Sequence, residues 1–156
     1  MNGRAILLSV APEFAEKIAG GSKTVELRRR FPDAPEGTWI YLYVTLPVGA
    51  ILGRVRVASI DVDKPTELWA RHRAKVGLSR DRFDHYFQDQ DAGFAVQLSH
   101  YESIEPIRLE HLRIAMSGFV APQSYRYLDI EQQKAILSNR HRIRVEEKLK
   151  SEPVCA

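Results

Sequence analysis

Gly20 to Arg30 reads GGSKTVELRRR, and the fold turns on how this stretch is understood. Two glycines end whatever helix precedes them, since glycine weakens a helix interior and closes its end in the left-handed conformation. The residues that follow alternate. Val25 and Leu27 share one face of an extended run, and Thr24, Glu26, Arg28 and Arg30 share the other. A row of charges of mixed sign can be the solvated face of a sheet. At a helix–Gly-Gly–strand corner the same row can instead converge with backbone N–H groups on a polar or anionic ligand. On that second reading the ligand-binding residues are Gly21, Ser22, Lys23, Glu26 and Arg28.

Working outward, Ile6–Val10 (ILLSV) reads as a short buried strand. Pro12 suits a first helical position, and Phe14 with Ile18 forms an apolar stripe that runs into Gly20 and Gly21. Beyond the charged strand, Pro32–Gly37 is a loop and Trp39–Leu46 (WIYLYVTL) is the clearest strand of the chain. Pro47–Gly49 turns it back into Ala50–Ile60, so the unit is a hairpin or meander. Pro65 starts a helix carrying Leu68, Trp69, His72 and Val76, and Ser79 caps another carrying Phe83, Tyr86 and Phe87. Phe94–Leu98 reads as a strand, with a last one at Ile104–Leu109. Asp129 and Gln132 have capping-box spacing, so a helix is predicted from there. Its apolar pattern fades after Leu137, and the remainder reads as a solvated tail.

A length of 156 residues, 44% hydrophobic and 28% charged, gives one domain or one domain with an extension. The division expected is 1–128 for the domain and 129–156 for a C-terminal helix and basic tail. No run approaches a membrane span, and MNGRAILLSVAPEF meets charge too soon for a secretory signal. With Cys155 as the single cysteine, no internal disulfide forms, and the expected setting is cytoplasmic with no membrane partner. The net charge of +3 is unevenly placed. Residues 22–30 carry Lys23, Arg28, Arg29 and Arg30 against Glu26, and residues 131–150 carry six basic against three acidic side chains. Two basic patches are compatible with phosphate contacts.

Several chemistries lack their signatures. The histidines, His72, His85, His100, His111 and His141, show no metal-binding spacing, so neither a metal nor a cofactor is expected. There is no phosphate-binding glycine loop and no nucleophile elbow. What remains is the Lys23–Glu26–Arg28 group and the aromatic strand. Trp39, Tyr41 and Tyr43 offer either a stacking surface for a base or rings packed beneath a helix. Tyr43, nearest the turn, is the ring expected to be exposed and to bind ligand.

The order of Gly21-Ser-Lys23-Thr-Val-Glu26-Leu-Arg28, Tyr43–Pro47, Ala50–Gly53, Gly93–Val96 and Ala121–Leu128 resembles the ASCH-domain family of the PUA-like superfamily over roughly residues 6–128. The resemblance implies an α+β fold, a small PUA-like β-barrel of five to six strands flanked by short helices and followed by a C-terminal helical extension. It implies a cleft lined by Lys23, Glu26 and Arg28, and binding of RNA or a modified nucleoside or nucleotide in RNA metabolism or transcription regulation. Some small bacterial relatives resemble amidohydrolases acting on N4-acetylcytidine, and ribonuclease activity is linked to another. The amidohydrolase pattern has a threonine three residues after the lysine and a glutamate on a downstream helix. Here Glu26 takes the threonine's place, and the Ser79 helix offers only Asp81 and Asp84. Glu26 beside Lys23 is expected to hold the ammonium form and blunt it as a nucleophile. If the protein is an enzyme, Lys23 and Glu26 are its catalytic pair. The first expectation is RNA or nucleoside binding, the second an amidohydrolase, the third a protein-interaction module. No histidine or carboxylate pair has spacing that points to ribonuclease chemistry.

Overall fold

The computed structural model describes residues 3–138, so the tail predicted beyond Leu137 lies almost wholly outside the described residues. Strands β1 (Ala5–Val10), β2 (Val25–Arg28), β3 (Trp39–Val44), β4 (Ala50–Asp63), β5 (Gly93–Arg108) and β6 (Tyr125–Leu128) form one sheet in the order β2-β5-β4-β3-β1-β6. Only the β1–β3 pair is parallel. The sheet curls into a half-barrel. Helices α1 (Pro12–Gly20), α2 (Pro65–His72), α3 (Arg80–Tyr86) and α4 (Leu109–Ala115) pack on it, with α5 over residues 130–138. No helix among the described residues is long and apolar enough to cross a membrane.

Alternation sends each strand's residues to two cores. In β1 and β3 the odd positions Ala5, Leu7, Tyr41 and Tyr43 join Leu112, Met116, Phe119 and Ile136 on the outer face. The even positions Ile6, Leu8, Val10, Ile40 and Leu42 meet Ile18 of α1, Val55, Val57 and Val96 on the inner face. A third cluster, Val25, Leu27, Leu68, Val76, Phe83 and Phe87, lies between β2 and the α2–α3 pair. These placements govern the site, because Glu26 pairs in register with Val96 and therefore faces the inner core.

The structure differs from the sequence expectations in four places. The two short strands expected at Phe94–Leu98 and Ile104–Leu109 are one strand, β5. Its middle, Ser99-His-Tyr-Glu-Ser103, is polar and shifts register against β4, with His100 in the left-handed region at φ 53°. Helix α2 stops at His72, and residues 73–77 form a loop. Helix α4 and strand β6 have no counterpart in the sequence reading. Tyr43, expected to be exposed, is 3% accessible and packs on Phe119, with ring centroids 6.4 Å apart. β3 lies between β1 and β4, and the segment after the unforeseen α4 covers its odd face. Trp39, at the strand's start, is the half-buried ring of the three.

Candidate functional site

The cleft lined by Lys23, Glu26 and Arg28 forms where α1 crosses the inner face of the half-barrel, with a volume of ≈ 230 Å³. Ser9 and Val10 at the end of β1, Phe14 of α1, Leu78 just before α3 and Tyr86 at its end also line it. The three charged residues come from one chain segment, and strand geometry explains their directions. Val25 and Leu27 turn outward under α2 and α3, so Glu26 and Arg28 turn inward. The charged face of this strand is thus covered rather than solvated: Glu26 is 7% accessible and Arg28 is half-buried.

Lys23 precedes the strand and reaches sideways. Its Nζ donates to the carbonyls of Val25 at 2.9 Å and Val76 at 2.5 Å, and lies 5.1 Å from the centre of the Phe14 ring. Lys17 makes a parallel bond to Gly77 O at 2.7 Å. The 73–77 loop is therefore tied to the site by two lysines. Gly77 adopts φ +70°, and a Cβ there would come within 3.2 Å of Lys23 Cβ, so the close approach requires glycine. Burial pushes the Lys23 ammonium below the ordinary lysine range; Glu26 opposes this, and Arg28 and Lys17 add to it. The sequence reading weighed Glu26 as dominant, but desolvation outweighs it because the amine sits behind Phe14 and the loop.

Glu26 and Arg28 form an under-bonded pair. Arg28 Nε stands 3.7 Å from Glu26 Oε1, an ion pair too long for a hydrogen bond. Arg28 Nη2 donates to Ser9 O at 2.7 Å, which holds the guanidinium against β1. Glu26 Oε2 and Arg28 Nε are closed to solvent and have no hydrogen-bond partner. A buried carboxylate oxygen and guanidinium N–H left unmatched are costly, and such a cost is typical of a pair kept for chemistry rather than for stability. The rim is charged as well. Arg82 reaches from α3 to Glu13 of α1 at 2.6 Å, and Arg29 Nε donates to Tyr86 O at 2.7 Å.

Gly21 and Ser22 do not line this cleft. Gly21 closes α1 at φ 85°, its N–H donating to Ile18 O, and Ser22 Oγ donates to Lys17 O at 3.4 Å. The backbone N–H groups expected to meet a ligand serve the helix end instead, which is the negative end of the helix dipole. Asp81 and Asp84 of α3 are exposed, and Asp84 pairs with Arg80 at 3.0 Å. Sequence reasoning missed Ser9 and the Phe14–Tyr86 walls, because they come from segments that only the tertiary fold brings together. Among the described residues, no three His, Cys, Asp or Glu side chains gather as a metal-holding group.

The sequence pattern of the ASCH domain matches residues 8–113, which span this whole site. The chain belongs to the ASCH domain family. A Zymomonas mobilis protein described as an ASCH domain-containing ribonuclease is 33% identical over 132 residues, which is 85% of this chain and 89% of that one. The crystal structure of ASCH from Zymomonas mobilis superposes with a TM-score of 0.82 at 32% identity, covering 86% of this chain and 94% of that one. A Ser→Ala variant of that protein gives a TM-score of 0.84 at 30% identity, covering 88% and 97%. The curled six-stranded sheet described above is thus the ASCH fold.

Proposed function

We propose that this ASCH protein binds single-stranded RNA with its backbone over the Lys23–Glu26–Arg28 cleft, and that it cleaves the strand there. The supporting observation is the under-bonded Glu26–Arg28 pair lining a cleft of a chain similar to a protein named a ribonuclease. Arg28 supplies a guanidinium for a phosphate oxygen, a fork geometry suited to that group. Glu26 takes the proton of the ribose 2′-hydroxyl, whose oxygen attacks the neighbouring phosphorus. The P–O5′ bond breaks, the 5′-oxygen takes the proton that Glu26 has just accepted, and the products are a 2′,3′-cyclic phosphate and a 5′-hydroxyl end. Lys23 acts through position: its ties to Val25 and Val76 hold the cleft wall that Leu78 and Tyr86 extend.

A second reading rests on Lys23. A neutral amine has two N–H bonds and a lone pair, and two carbonyls take up the two N–H bonds here. Burial that lowers the Lys23 pKa favours this neutral form. Such an amine is the nucleophile or base that an amidohydrolase of N4-acylated cytidine needs.

One pair of variants separates the readings. Turnover of single-stranded RNA and release of cytidine from N4-acetylcytidine are measured for wild type, Glu26→Gln and Lys23→Met. Cleavage of RNA that falls on the order of 10²–10⁴-fold in Glu26→Gln, with RNA affinity retained, supports the first reading. Release of cytidine that depends on Lys23, with no RNA cleavage, replaces it by the second. RNA cleavage undiminished in Glu26→Gln would remove Glu26 as the base.

A further inference from the structure

A second groove, with a volume of ≈ 310 Å³, opens at the other end of β1 and β3. Its walls include Arg4, the 33–38 loop, Trp39, Arg56 and Tyr127. Arg4 and Ser9 are five residues apart on one extended segment, so the groove and the Lys23 cleft are separated by about 17 Å of strand. The volume is at the small end of ligand pockets, enough for a base rather than a whole nucleotide chain.

Both arginines of this groove sit over rings. Arg4 Cζ lies 4.2 Å from the centre of Tyr127, and Arg56 Cζ 4.1 Å from that of Trp39. Arg54 Cζ lies over Trp39 too, at 3.8 Å from its centre, and Arg56 Nη1 donates to Gly37 O at 3.3 Å. A guanidinium held over an aromatic ring by cation–π attraction is restrained in place, and unpaired bases stack on aromatic faces and on guanidinium planes. Phosphate recognition is disfavoured by charge. Exposed Asp33 and Glu36 line the same groove, so two carboxylates balance the two arginines. Carboxylates repel phosphate but accept from the exocyclic amino groups of bases.

The two sites are also joined. β2 and β6 are the sheet's edges, and Phe31, just past β2, meets Tyr125 of β6 with ring centroids 6.1 Å apart. Tyr125 then contacts Tyr127 edge to face at 6.2 Å. The seam of the half-barrel is thus a run of rings leading from Arg28 to Arg4. Helix α5 sets the groove's end, since Gln133 donates to Gly3 O at 2.6 Å.

We propose that this groove is a second subsite that stacks one base of a single-stranded nucleic acid on the Arg4–Tyr127 and Arg56–Trp39 pairs while the backbone occupies the Lys23–Glu26–Arg28 cleft. The proposal rests on the RNA-binding reading given above. Its test is the affinity of a single-stranded oligoadenylate long enough to span both sites, measured by fluorescence anisotropy at low salt. Arg4 is exposed and precedes β1, and Tyr127 is 39% accessible on an edge strand, so substitutions at both leave the core in place. Arg4→Ala and Tyr127→Ala are each expected to weaken binding about 5- to 150-fold, the range for losing one stacked base. Arg4→Lys is expected to weaken it as Arg4→Ala does, because an ammonium keeps the charge and loses the plane. Urea midpoints identify any variant whose loss reflects unfolding, and Arg56→Lys, away from the edge strand, then decides in its place. If Arg28→Ala weakens binding while the Arg4, Tyr127 and Arg56 variants bind as wild type does, the subsite is wrong and the cleft stands. If Arg4→Lys restores full affinity, stacking is wrong. If wild type binds no oligoadenylate, the RNA reading itself fails.

Discussion

Lys23 couples the local chemistry of the site to the stability of the protein. In the unfolded chain its amine titrates at 10.5, and in the folded protein burial lowers that value. Below the folded value the amine is charged in both states, and the fold bears the whole desolvation penalty. As pH rises through the folded value toward 10.5, the folded amine loses its proton before the unfolded one, and stability is regained. Lys23→Met removes the titration while keeping most of the volume. The stability of wild type relative to Lys23→Met is therefore expected to increase across that alkaline window, because the other titrating groups cancel in the difference. Paired urea unfolding curves at neutral pH and near 10.5 measure it. A difference that does not move with pH would show that the amine is solvated in the folded state.

At the scale of elements, the helix over 130–138 shows how a few residues can place a remote site. Asp129 Oδ1 accepts from Gln132 N at 2.7 Å, and Gln132 Oε1 accepts from Asp129 N at 3.0 Å, the reciprocal pair that their spacing predicts. The helix so started carries Ile136 into the outer core and Gln133 to Gly3. Asp129→Ala is expected to lower stability by about 1 kcal/mol, read from the urea midpoint at unchanged slope. This cap was legible because it is local, and so were Pro12, Pro65, Ser79 and the Gly21 helix end. The alternation of WIYLYV likewise exposed β3. Helix α4 was not legible: it follows β5 directly, and no side chain caps it. β6 is four residues long, and β5 hides its continuity behind a polar bulge. Tyr43 was misplaced for the same reason, since its cover comes from Phe119, far along the chain. Among the site residues, alternation put Glu26 and Arg28 on one face. Only the tertiary fold shows that this face turns inward, and that Gly21 and Ser22 stay outside the cleft.

For the whole molecule, charge and core divide the C-terminal region at different points. Residues 139–156 carry five arginines and lysines against three glutamates, so they hold much of the protein's basic excess. Ile136 is fully buried against Leu7, Tyr41 and Leu112. Ending the chain after Ser138 keeps that contact, whereas ending it after Leu128 removes Ile136 and opens the outer core. Deleting a buried isoleucine side chain alone costs roughly 2–5 kcal/mol, a large share of the stability of a domain this size. The chain ending at Leu128 is therefore expected to unfold at a urea midpoint well below that of the chain ending at Ser138. RNA affinity separates them from the site variants. Each phosphate neutralised on a single strand contributes about −0.7 to the slope of log affinity against log salt. Removing 139–156 is expected to flatten that slope and to weaken binding most at low salt, where unscreened charges act at a distance. Arg28→Ala is expected to reduce the slope by about one phosphate's worth and to weaken binding at every salt concentration, because its contact is local. Equal slopes for wild type and the 139–156 deletion would assign the whole salt dependence to residues of the folded domain.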